Sequence, residues 1–132
     1  ACQAFIMNQE IIIKIQMMEQ ETNQLSEQLQ FLEQNVKEMN ELIDSLEEIK
    51  KDDVKDIMIN LGKRIFLPVE IKDKNFITDV GKGNFVKKSA VEMKKNVEEE
   101  KNKLMGTKIL IIERLNLLEK EMENMINEIQ KE

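Results

Sequence analysis

Residues 57–71, Ile57-Met58-Ile59-Asn60-Leu61-Gly62-Lys63-Arg64-Ile65-Phe66-Leu67-Pro68-Val69-Glu70-Ile71, decide the fold. Ile57, Ile59 and Leu61 alternate with Met58 and Asn60, the period-two pattern of a strand. Gly62-Lys63 is a turn signal, after which Ile65, Leu67, Val69 and Ile71 alternate with Phe66, Pro68 and Glu70. Asp73-Lys74-Asn75 breaks that strand, and Phe76–Val80 reads as another. Gly81-Lys82-Gly83 then turns the chain into Asn84–Lys88, so the stretch predicts two β-hairpins. Pro68 lacks a backbone donor, so its strand is expected to lie at an edge or to carry a bulge there.

Outward from the hairpins the period changes. Ile15, Met18, Thr22, Leu25, Leu29, Leu32, Val36, Met39, Ile43 and Leu46 follow a 3-4 rhythm, with no Gly or Pro between them. A sustained repeat of about 3.5 residues keeps one seam facing a partner helix, which predicts a coiled coil. The pattern stops at Lys51-Asp52-Asp53. On the other side, Ser89-Ala90-Val91-Glu92 fits a capping box at a helix start. From Ile111 a second seam runs through Leu115, Leu118, Met122, Met125 and Ile129. Upstream it is weaker, with Lys101 and Lys108 alternating with Val97 and Leu104, and Gly106 is a soft spot.

The expected class is therefore α+β and mostly α: a long antiparallel coiled coil of N- and C-terminal helices joined by two β-hairpins. The chain is expected to form one domain over residues 1–132, with the first helix in 1–51, the hairpins in 52–88 and the second helix in 89–132. Folding the helices back on each other places their free ends far from the hairpins. Four short strands have exposed edges and too little surface to close a core alone. The aliphatic rows then need other subunits to cover them, which predicts an obligate oligomer.

Composition narrows the chemistry. The 132 residues include no His, Trp or Tyr and a single cysteine, Cys2. That removes the commonest general base and any internal disulfide framework. Asp52, Asp53 and Asp73 read as turn chemistry rather than metal ligands, and Gly81-Lys82-Gly83 is too short for a phosphate loop. No enzyme, metal or cofactor is expected. The net charge is −6, with three Lys against ten acids in residues 1–50 and eleven basic against seven acidic residues in 51–96. Acidic ends around a mildly basic middle do not suit a nucleic-acid binder. With no membrane-spanning run and no signal-peptide layout, a cytoplasmic setting without membrane attachment is expected.

The layout and several residues resemble the alpha-class subunit of prefoldin. The resemblance is carried by Ile59-Asn60-Leu61-Gly62, Ile65-Phe66, Ile71-Lys72-Asp73 and Asp79-Val80-Gly81-Lys82-Gly83-Asn84-Phe85-Val86-Lys87-Lys88-Ser89. The last stretch is similar to the family's V-G-x-G-x-[FY]-V-x-K-[ST] segment, and two hairpins in place of one suit the alpha class. The resemblance implies an ATP-independent co-chaperone whose hairpins join those of other subunits in an intersubunit β-barrel. It further implies a hetero-hexamer of two alpha and four beta subunits, which holds unfolded client proteins and passes them to a group II chaperonin. A structural scaffold or filament-forming relative is the alternative.

Two residue sets follow. Subunit assembly is assigned to Ile57, Ile59, Leu61, Ile65, Leu67, Val69, Ile71, Val80, Phe85 and Val86. Client contact is assigned to the apolar excess at the helix ends: Phe5, Ile6, Met7, Ile11, Ile12 and Ile13 on one helix, Met122, Met125, Ile126 and Ile129 on the other. Ile11-Ile12-Ile13 point in three directions where a seam uses one or two, and five of the nine methionines lie in these regions. Methionine suits surfaces of no fixed shape.

Overall fold

The computed structural model describes residues 2–131, in the order α1 (Cys2–Lys50), β1 (Asp56–Gly62), β2 (Ile65–Glu70), β3 (Asn75–Gly81), β4 (Asn84–Ser89) and α2 (Ala90–Gln130). Two long helices and two hairpins make up a mostly helical α+β chain, as expected. It divides into two compact units, one of residues 1–36 with 103–132 and one of residues 37–102.

In the first unit, segments of α1 and α2 pack as an antiparallel pair. Glu21 meets Arg114 and Glu33 meets Lys108, so rising numbers on one helix oppose falling numbers on the other. Ile111 and Leu118 form its buried centre, and Leu118 is wholly inaccessible. Ile15, Met18, Thr22, Leu25, Leu29, Leu32 and Val36 are all half-buried, as the 3-4 rhythm requires. The same rhythm extends back through Ile11, Asn8 and Ala4, also half-buried. The hydroxyl of Thr22, the one polar member of the predicted α1 seam, is buried with no hydrogen-bond partner. Gly106 lies in the helix with open space where a Cβ would stand.

The second unit holds the hairpins and the helix segments that enter and leave them. Leu46, Ala90 and Val97 are its buried residues. α1 ends where Lys51 N–H donates to the Glu48 carbonyl and Val54 N–H to the Lys51 carbonyl. Lys74 Nζ donates to the Lys51 carbonyl, which ties the link between the hairpins to that helix end. α2 starts as its sequence signal predicts, with Glu92 N–H donating to Ser89 Oγ at 3.2 Å.

Each hairpin is a separate two-stranded antiparallel sheet, β1 with β2 and β3 with β4. Their registers are the same pattern displaced by 19 residues: Ile57 opposes Val69 and Ile59 opposes Leu67, as Phe76 opposes Lys88 and Thr78 opposes Val86. The turns repeat too. Lys63 and Arg64 have φ of 51° and 63°, and Lys82 and Gly83 have 52° and 78°. Positive φ at both central residues is what a two-residue hairpin turn needs to match strand twist. Before each turn one extra residue, Leu61 or Val80, bulges from the ladder. Asn60 Oδ1 accepts from Gly62 N–H and Asp79 Oδ1 from Gly81 N–H, bracing each bulge. Gly62 and Gly81 there take φ of 116° and 137°, a region that side chains with a Cβ avoid.

Pro68 sits in a strand that pairs on one side only, consistent with an edge. It stands in regular register opposite Met58; the bulge lies at the turn instead.

Candidate functional site

Directly opposed residues of an antiparallel pair share a face. One face of the first hairpin therefore carries Ile57, Ile59, Leu67 and Val69, and the other carries Met58, Asn60, Phe66 and Pro68. A sheet with one wetted face alternates apolar with polar residues. This hairpin is apolar on both. Ile59, Leu61, Ile65 and Leu67 are exposed, and so are Met58 and Phe66. The second hairpin exposes Val80 and Val86 and, on the face of Asp79, also Ile77 and Phe85. Among the assembly residues, Ile57, Val69 and Ile71 are half-buried. With Ile49 and Phe76 they line an open hollow of about 530 Å³, rimmed by Lys72, Lys74 and Lys87.

The structure thus brings the assembly set together on one module but leaves it largely uncovered. The predicted set had missed Met58, Phe66 and Ile77. Met58 and Phe66 fall on the other parity of the first hairpin's alternation, which a period-two reading assigns to solvent; Ile77 shares a face with Phe85, which the set includes.

In the helix-pair unit, the residues assigned to client contact divide by heptad position. Phe5, Ile6, Met7, Ile12 and Ile13 are exposed. Ile11, Met122, Met125 and Ile129 are half-buried along the seam. Ile126 remains 44 % exposed, beside a groove of about 530 Å³ lined by Ile15, Glu19, Glu119, Met122, Glu123, Ile126 and Asn127. The groove brings the N-terminal part of α1 and the C-terminal part of α2 into one surface.

Apolar exposure in this unit extends well beyond the ends. Phe31 is 68 % exposed at a second groove, about 400 Å³, which it lines with Glu27, Gln28, Leu32, Thr107 and Ile111. On α2, Met105, Ile109, Leu110, Ile112 and Leu117 are exposed as well. The run Ile109-Leu110-Ile111-Ile112 carries the same signal as Ile11-Ile12-Ile13, more apolar residues in succession than one seam can bury.

Ion pairs flank the seam. Arg114 grips Glu21 through two hydrogen bonds, at 2.8 and 3.1 Å, and the Glu21 carboxyl is held below its ordinary range mainly by that bond. In the other unit Lys94 bonds Glu47 at 2.5 Å and lowers its carboxyl in the same way. Both pairs are solvent-accessible, so they set alignment more than strength. Among the described residues no cluster of His, Cys, Asp or Glu could hold a metal ion, and no helix is long and apolar enough to cross a membrane.

What the residues build, then, is a helix pair and a hairpin unit, each with exposed apolar surface, and among the described residues no cluster that could hold a metal ion. Comparison with known proteins agrees with that class. The prefoldin subunit family model matches residues 18–132, and the chain belongs to the prefoldin family. Among solved structures it is similar to filamentous PFD from Methanocaldococcus jannaschii, determined by cryo-EM. The TM-score is 0.72 at 16 % identity, over 86 % of this chain and 96 % of that one. No curated protein sequence matches.

Proposed function

We propose that the chain is an alpha-class subunit of an ATP-independent prefoldin co-chaperone of the cytoplasm, with no catalytic activity of its own. One observation carries this reading: the hairpins expose apolar side chains on both faces, while the helix pair buries its seam and still presents apolar residues at its ends. The hairpins join those of beta-class subunits in a β-barrel, giving a hexamer of two alpha and four beta chains. Ile59, Leu61, Ile65 and Leu67 turn to its interior. Phe5, Ile6, Met7, Ile12, Ile13 and Ile126 contact unfolded clients, which pass on to a group II chaperonin. Burial of such surface is worth about 25 cal/mol per Å² and requires no defined client shape.

The test is light scattering of an aggregating client in the presence of the assembled complex. Suppression is expected, and removal of residues 1–14 is expected to weaken it while the oligomer keeps its mass. A complex that leaves aggregation unchanged overturns the holding role.

A second reading is favoured by the solved relative, which is filamentous and matched along nearly its whole length. In that reading the hairpins link copies of this chain into an open polymer. Electron microscopy of the chain alone and with a beta-class partner separates the two: long polymers support a scaffold, a closed particle supports the hexamer.

A further inference from the structure

The groove between the ends of the helix pair combines two features that an ordinary coiled-coil flank does not need. Its floor is apolar, made by Ile15, Met122 and Ile126. Every charged group lining it is a carboxylate: Glu19 from α1, Glu119 and Glu123 from α2. Glu119 and Glu123 stand four residues apart on one helix, a spacing at which like charges destabilise the helix. None of the three forms an ion pair among the described residues, although the same unit pairs Glu21 with Arg114 and Glu33 with Lys108. The imbalance holds for the unit as a whole, since residues 1–36 and 103–132 carry eleven acids against six basic residues.

We infer that this groove receives client segments in which a large apolar side chain is flanked by Lys or Arg, and that Glu19, Glu119 and Glu123 supply the preference for them. The inference rests on the client-holding reading and adds the chemical class of segment held. An apolar side chain displaces water from the floor, and a neighbouring cation relieves repulsion among the three carboxylates that line the groove, an effect salt screens over a Debye length of about 10 Å. A second copy of the same surface would bring acid against acid, so the charge pattern selects a cationic occupant.

The probes are two fluorescent peptides with the same Leu and Phe content, one carrying Lys and the other Glu between them, titrated into the assembled full-length complex by anisotropy. The Lys peptide is expected to bind about tenfold more tightly at low salt, each exposed charge contact contributing a few-fold. The isosteric variant E19Q/E119Q/E123Q is expected to bring the two peptides within about twofold of each other, and I126S to weaken both equally. Equal affinities in the wild type overturn the proposal, as does a preference that survives in the triple variant. A triple variant whose complex changes mass also overturns it, because the groove is then a contact between subunits. Client aggregation is followed in parallel. Suppression without peptide preference removes the inference and leaves the holding role standing; absence of both removes both.

Discussion

Leu118 in the helix pair is wholly inaccessible, whereas the best-covered of the hairpin residues assigned to assembly, Ile57, Val69 and Ile71, are only half-buried. Both regions are rich in aliphatics, so composition does not explain the difference. Geometry does. A helix seam of 3.5-residue period can be satisfied by one other helix, and this chain supplies two. A two-stranded sheet has two faces and two open edges, and among the described residues the hairpins are covered only in part. The region that closes on itself supplies the chain's best-buried residue, and the region that stays open is the one proposed to associate.

The comparison can be broken from either side. The largest effect is expected from I65K/L67K, which places charges where the proposed barrel excludes water, at several kcal/mol each. Native mass measurement is expected to show single chains with helix content intact. An assembly of unchanged mass would mean that this face of the hairpin lies outside the interface. Next, L118A removes the fully buried side chain of the helix pair and is expected to cost about 3 kcal/mol in denaturant unfolding followed by helical circular dichroism. A loss below about 1 kcal/mol would show that the seam is looser than its burial implies.

Two glycine substitutions sharpen the contrast at about 1 kcal/mol. Gly106 is helical with free space at its Cβ, so G106A is expected to stabilise the pair by roughly 0.5–1 kcal/mol. Gly81 also has free space, but its φ of 137° makes G81A destabilising by at least about 1 kcal/mol. Opposite signs are the expected outcome; equal signs would contradict the backbone account. The smallest effect is that of acid. The hydrogen bond from Arg114 lowers the Glu21 carboxyl below its ordinary 4.5, so its contribution is present above that value and is lost as pH falls through the lowered one. Unfolding measured between neutral and acid pH is expected to show slightly less acid sensitivity in E21Q. An identical profile would assign the alignment of the pair to the seam alone.

Much of this was legible in the sequence because each element obeys one period. All ten predicted seam positions of α1 are buried or half-buried, and Ser89 caps α2 where its spacing predicts. The hairpins and their turns fall where Gly62 and Gly81 place them. What escaped was whatever departs from a single period. The bulges at Leu61 and Val80 depend on Asn60 and Asp79 folding back on the backbone two residues on, a contact that alternation does not register. Met58 and Phe66 occupy a face that alternation marks as solvent. Phe31 and the exposed aliphatics of α2 lie outside the helix ends to which the apolar excess of the sequence assigns client contact. The acids of the end groove are contributed by both helices, so only the packing of the pair brings Glu19 near Glu119 and Glu123.

The 19-residue displacement between the hairpins means that one backbone device is built twice with different lettering. Ile59, Ile65 and Val69 in the first copy are replaced by Thr78, Asn84 and Lys88 in the second. Two sockets of the same gauge thus carry unlike plugs. A neighbour that follows one backbone can follow the other, so discrimination between them falls to the side chains that differ and to the backbone N–H that Lys87 has and Pro68 lacks.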